Sequence, residues 1–193
     1  MARIESHRKK LTVFFSNMVG FTSKTDSMEP EDLSYLLNGY LNRMAAIVLK
    51  HGGTLDKFIG DAVLVFYGDP ETRGPTEDAR RAIAMGLEMR QAIETLKLEW
   101  MEHGIEPDFA IRSGIATGFC TVGNFGSETR MEYTIVGGSV NLASRLESSA
   151  KPGEILISQE TATLVDEVFE LEAVGEMQVK GFIRPVKTYR VQG

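Results

Sequence analysis

The period of the apolar positions changes several times along the chain, and each change marks an element. Residues 11–15, Leu-Thr-Val-Phe-Phe, are a short apolar, β-branched and aromatic run that predicts a buried strand. Pro30 then stands at a favoured first helical position with Glu29, Glu31 and Asp32 around it. Leu33, Leu36, Leu37, Tyr40, Leu41, Met44 and Val48 follow at helical spacing, until Gly52-Gly53 ends the run. Residues 55–59 and 62–67 are two apolar strands around Gly60-Asp61, a strong local hairpin signal.

A polar loop over residues 68–75 leads to a second, long helix capped by Thr76. Its inner face is Ala79, Ala82, Ile83, Gly86, Leu87, Ile93, Leu96 and Trp100. Residues 109–116 and 120–125 read as two strands joined by a short turn at 117–119, and the order so far is βαββαβ. With an antiparallel sheet this is the ferredoxin-like arrangement, α+β in class, with helices over one sheet face and the other left for something else. The remainder adds a strand at 133–136, a helix at 140–149, a strand at 154–158, a short helix at 160–165 and closing strands at 169–179 and 186–191. That is a C-terminal βαβαββ extension.

Length and composition narrow the classes. A chain of 193 residues suits one domain, 1–193, with residues 1–9 as the remnant of an N-terminal linker. A hydrophobic content of 42% and a charged content of 25% are those of an ordinary globular protein. The net charge of −6 argues against a nucleic-acid binder, which carries a basic stripe. Cys120 is the only cysteine, so no intrachain disulfide forms, and the cytoplasm is the expected compartment. No apolar run approaches the ~20 residues of a membrane span, and the basic opening lacks the apolar core of a signal peptide. That opening runs straight into a core strand, as in a domain cut from a longer membrane-attached or sensor-linked protein; any membrane attachment lies outside this chain. His7, His51 and His103 have no metal-ligand spacing.

The chemistry-bearing stretches sit at strand ends. The first strand delivers Asn17 and runs into a turn where the N–H groups of residues 18–22 make a cradle for phosphate oxygens. Asp61 sits at the hairpin tip. If the two strands lie side by side, Asn17 and Asp61 meet there, 44 residues apart in sequence, and share a cation. Read alone, Asn17 is equally a strand-end hydrogen bonder, and Lys57 is more simply a surface charge.

Taken together, F-F-S-N-M-V-G-F-T, D-K-F-I-G-D, I-R-S-G-I-A-T-G, V-G-N-F-G, Y-T-I-V-G-G-S-V-N-L-A-S-R-L-E and V-K-G-F resemble, in order, the catalytic domain of class III nucleotidyl cyclases of the bacterial adenylate cyclase type. The resemblance implies conversion of ATP to cyclic AMP and pyrophosphate with two Mg²⁺ or Mn²⁺ ions per site. It places metal ligands at Asn17, Asp61 and the Met18 carbonyl, and substrate contacts at Val19, Gly20, Phe21 and Thr22. The family has aspartate where this chain has Asn17, which removes one negative charge from the metal site. Lys57 and Thr134 match the positions that read the base, and lysine there favours ATP over GTP. Asn141 and Arg145, four residues apart on one helix face, match the pair that orients the ribose and neutralises the α-phosphate. Lys180 and Arg112 are polyphosphate contacts, Arg112 being equally a strand-face charge.

The resemblance also implies a head-to-tail homodimer in which the metal loop of one subunit faces the base-reading residues of the other. The alternative is an impaired cyclase-like domain kept for ATP binding or dimerisation, motivated by Asn17. Intact Lys57, Asp61, Asn141 and Arg145 weigh against it. No G-x-x-x-x-G-K-[ST] stretch and no Gly-Gly-acid-acid-Phe hairpin occurs, which removes P-loop ATPases and diguanylate cyclases.

Overall fold

The computed structural model describes residues 6–106 and 108–193. Strand β1 (His7–Met18) is followed by α1 (Phe21–Thr25), α2 (Pro30–Lys50), the β2 (Thr54–Ile59) and β3 (Ala62–Tyr67) hairpin, and α3 (Pro75–Glu102). Then come β4 (Ile111–Ser127), β5 (Arg130–Val136), α4 (Gly138–Ser149), β6 (Ile155–Ser158), α5 (Gln159–Val165), β7 (Leu171–Met177) and β8 (Val186–Val191). The strands form one sheet in the order β2-β3-β1-β4-β6-β8-β7, with β5 paired to β4. Within the core, β1 pairs antiparallel with both β3 and β4, and β2 with β3, as the ferredoxin-like reading expects. The extension departs from an all-antiparallel sheet, because β6 joins β4 in parallel. Helix α4 lies between them in sequence and makes the crossover that a parallel pair requires.

Alternation along β1 splits the interior into two layers. Phe14 and Met18 face α2 and α3 in one cluster with Tyr40, Met44, Ile83, Met89 and Trp100. Leu11 and Val13 face the other way, packing with Phe66, Ala116, Leu142, Leu146 and Val179. Both faces of the sheet are therefore covered, and α4 with the segment after β7 occupies the face that the ferredoxin-like reading left open.

Several expectations need correction. The turn predicted at residues 117–119 does not exist; β4 runs unbroken, with Thr117, Gly118 and Phe119 paired to Thr12, Leu11 and Lys10 of β1. Gly118 and Gly114, four residues apart on one strand face, serve close packing instead. A Cβ on Gly114 would stand 2.2 Å from the Ala143 carbonyl oxygen, and one on Gly118 2.3 Å from Ser139 Oγ, so α4 crosses β4 at these two bare positions. The long helix begins at Pro75 with Gly74 as its N-cap, so Thr76 lies inside its first turn. Residues 7–9, assigned above to a linker, belong to β1, and Lys9 Nζ reaches the buried Asp69 carboxylate at 2.6 Å. Residues 1–5 of that linker lie outside the described residues. Strand β7 is shorter than expected, and Val179 to Phe182 form a turn closed by the Phe182 N–H on the Val179 carbonyl. Among the described residues no helix is long and apolar enough to cross a membrane.

Candidate active site

Asn17 and Arg112 face each other across the β1–β4 ladder, one residue from the end of β1. The hairpin tip carries Asp61 to the same place: Gly60 adopts φ 61°, a turn conformation open to glycine, and Asp61 Oδ2 accepts the Met18 N–H at 2.7 Å. Asn17, Met18, Gly20, Phe21, Thr22, Ser23, Asp26, Asp61 and Arg112 thus line one open cavity of about 630 Å³. Asn17 and Asp61, placed at neighbouring strand ends by the sequence, both line this cavity.

The phosphate cradle is smaller than the loop implied. The Met18 amide is spent on Asp61, and the Val19 amide donates to the Ala110 carbonyl at 2.8 Å. Gly20 sits in the left-handed region at φ 65° and starts α1, leaving the amides of Gly20, Phe21 and Thr22 at its opening.

Arg112 ties this cavity to α4. Its Nε donates to Asn17 Oδ1 at 3.3 Å and to Glu147 Oε1 at 3.0 Å, and its Nη1 to the Ser148 carbonyl at 3.2 Å. Burial pushes the Glu147 carboxyl upward, and the Arg112 guanidinium pulls it part of the way back. Below Asp61, Tyr40 is wholly buried; burial, with the Asp61 charge adding to it, raises its phenol far above the usual range.

The remaining candidates gather elsewhere. Lys57 Nζ stands 3.1 Å from Glu132 Oε2 and 3.8 Å from Asp56 Oδ1, and Asp56 Oδ2 accepts the Thr134 hydroxyl at 2.6 Å. The two base-reading candidates are thus joined through a carboxylate that sequence reasoning passed over. Asn141 and Arg145 lie on the exposed face of α4, opposite its buried Leu142, Ala143 and Leu146. Lys180 is exposed in the β7–β8 connection, whose Phe182 ring packs against Gly138 at the start of α4. None of Lys57, Thr134, Asn141, Arg145 or Lys180 lines the cavity of Asn17 and Asp61.

Sequence reasoning also missed Glu147 and Asp26. Glu147 falls on the buried phase of α4, where a charge is itself a signal that a partner exists. Asp26 lies just beyond α1 and carries no comparable mark.

Asn17 Oδ1, the Asp61 carboxylate and the Met18 carbonyl are hard oxygen donors, the type that Mg²⁺ and Mn²⁺ take, so the donor set fits such an ion. Among the described residues no group of three or more His, Cys, Asp or Glu side chains forms a metal cluster, so further ligands would come from substrate oxygens and water.

A ferredoxin-like core extended by βαβαββ, with an acid–amide–arginine cavity at the hairpin tip, defines a nucleotidyl cyclase-type domain. Residues 4–193 match the adenylate and guanylate cyclase catalytic domain, and the chain belongs to that family, the class III nucleotidyl cyclases. The adenylyl cyclase CyaB from P. aeruginosa superposes with a TM-score of 0.95 at 54% identity, over 98% of this chain and 97% of that one. The guanylyl cyclase Cya2 does so with a TM-score of 0.91 at 36% identity, over 98% and 95%. Adenylate cyclase 1 of Rhizobium meliloti (strain 1021) is 29% identical over 96% of this chain, which spans 28% of that relative. Proteins of this family use divalent metal ions.

Proposed function

We propose that residues 1–193 form one catalytic domain that converts ATP to 3′,5′-cyclic AMP and pyrophosphate in the cytoplasm, at a site shared between two head-to-tail copies. The ribose 3′ oxygen attacks the α-phosphorus in line, the new 3′ O–P bond replaces the bond to the bridging oxygen of pyrophosphate, and the hydroxyl proton passes to solvent. Lys57 and Thr134 read the adenine edge. Asn141 orients the ribose, and Arg145 neutralises the charge that gathers at the α-phosphate. Lys180 and Arg112 hold the β- and γ-phosphates, with the amides at Gly20, Phe21 and Thr22 assisting and Val19 shaping the loop. Mg²⁺ or Mn²⁺, two per site and held by Asn17, Asp61 and the Met18 carbonyl, would supply charge stabilisation at the attacking and leaving oxygens.

The observation that carries this reading is the division of the candidates. The oxygen donors and Arg112 share one cavity, while the base-reading and transition-state candidates stand outside it. A second copy that brings its α4, its β5 and Lys57 of its β2 to this cavity completes the set. The exposed Phe119, Met131, Tyr133 and Val136 on the β4–β5 ribbon supply apolar surface for that contact. The identity to CyaB, an adenylyl cyclase, and the lysine at position 57 support ATP as substrate.

The test is product formation from ATP and from GTP with Mg²⁺ and Mn²⁺ in parallel, at protein concentrations that favour dimers. Cyclic AMP made faster than cyclic GMP supports the reading. ATP binding without either product sinks it and leaves a regulatory nucleotide-binding domain, the outcome that the amide at Asn17 would then explain.

A further inference from the structure

Asp56 is a carboxylate that the β2–β3 hairpin buries by breaking its own regularity. The register slips between Leu55, paired with Val65, and Lys57, paired with Leu64, so Asp56 and Lys57 together oppose one residue of β3. A bulge re-aims side chains that a regular strand would send to opposite faces. Here it leaves Lys57 Nζ 3.8 Å from Asp56 Oδ1, while the Asp56 side chain is only 1% exposed. The second oxygen, Oδ2, accepts a hydrogen bond from the Thr134 hydroxyl at 2.6 Å.

The chemistry turns on that one proton. A threonine hydroxyl has one proton and two lone pairs, so a free one can meet either a donor or an acceptor by rotating. With its proton committed to Asp56, Thr134 has only lone pairs to offer a ligand. Lys57 beside it has only donors. Burial raises the proton affinity of Asp56, which strengthens its hold on the hydroxyl, while Thr134 and Lys57 favour its ionised form. Adenine presents an amino donor at position 6 next to an acceptor at N1. Guanine presents the reverse, an oxygen acceptor next to an N–H donor.

We propose that Asp56 is a specificity-determining positioning residue: by holding the Thr134 proton it fixes an acceptor beside the Lys57 donor, a pair that matches the adenine edge and opposes the guanine edge. This rests on the ATP reading of the same site. Asp56 touches no part of the nucleotide and acts through Thr134.

Asp56→Asn has nearly the same shape but offers an N–H to Thr134 Oγ1, which frees the hydroxyl proton to meet guanine. Initial rates with ATP and GTP give the ratio of the two kcat/KM values. The ratio should fall at least about tenfold, the scale on which a mismatched buried polar group discriminates. Asp56→Glu keeps the carboxylate and should keep the preference even where it lowers the overall rate. In a Thr134→Val background, Asp56→Asn should leave the ratio where Thr134→Val alone set it.

Equal loss of both activities in Asp56→Asn, with the ratio unchanged, would mean that Asp56 only fills space, and the proposal fails. Loss of the ratio in Asp56→Glu overturns it as well. Where a variant cyclises neither nucleotide, relative affinities for 3′-deoxy-ATP and 3′-deoxy-GTP, which lack the attacking oxygen, give the same ratio: a fall in Asp56→Asn supports the proposal and an unchanged value overturns it. A wild-type chain that prefers GTP overturns the ATP reading, and the proposal with it, before any variant is compared.

Discussion

Asn17→Asp restores one negative charge to a cavity wall where Asn17 Oδ1 now accepts from Arg112 Nε at 3.3 Å. At ~4 Å the added charge attracts a divalent ion by about 2 kcal/mol in the dielectric of water and about 4 kcal/mol at half that dielectric. A metal ligand at this position must turn its oxygen from Arg112 to the ion, and that exchange forfeits part of the gain: across the 3.3 Å separation the attraction of Arg112 for the new carboxylate is about 1.3 and 2.5 kcal/mol under the same two conditions. The difference, about 0.8 to 1.6 kcal/mol, corresponds to divalent binding tighter by about 4-fold to 15-fold. Titration of Mn²⁺ in the presence of 3′-deoxy-ATP, with free Mn²⁺ followed by electron paramagnetic resonance, reads this constant directly. The Mn²⁺ Kd should fall by a factor in that range, and the rate at limiting metal should rise with it. An unchanged or weaker Kd would refute the assignment of Asn17 as a metal ligand and leave it as a partner of Arg112 alone.

Two further outcomes follow from the packing of α4. Gly114→Ala puts a Cβ within 2.4 Å of both the Ala143 carbonyl and the Glu147 amide, backbone atoms that cannot rotate away. It should cost at or above the ~1–3 kcal/mol of ordinary overpacking and lower Tm by roughly 5–10 °C, and an unchanged melting curve would contradict the contact. Glu147 has a raised carboxyl in the folded state, so its contribution to stability is fully present below its unfolded pKa and is lost as pH rises through the folded value. Glu147→Gln should therefore gain on the wild type as pH rises above about 4.5, measured by denaturant unfolding at several pH values; a constant difference between the two would contradict the burial assigned to Glu147.

The sequence resolved what local rules decide. The β2–β3 hairpin matched because Gly60-Asp61 has one good backbone solution, and α2 because Pro30 and Gly52-Gly53 bound an unbroken apolar stripe. It misled where a residue serves a distant neighbour. Gly118 looked like a turn residue but is bare to admit Ser139, so a single strand was split in two. The Met18 amide looked free for phosphate until the hairpin tip brought Asp61 onto it. Asp56 was hidden because alternation would turn it away from Lys57, and the bulge that reverses this has no local sequence mark. The contact between Asn17 and Arg112 has no local mark either, since 95 residues separate them.

The measurement that reaches the centre of the account is a mixing experiment. Asp61→Ala removes a metal ligand from one half-site, and Arg145→Ala removes the transition-state cation from the other. Each chain alone should make almost no cyclic AMP from ATP. Mixed in equal amounts, they should recover about a quarter of the wild-type rate, because half of the dimers are mixed and each of those holds one intact site. A mixture no more active than the sum of its parts would contradict the shared site and return the whole reaction to a single chain.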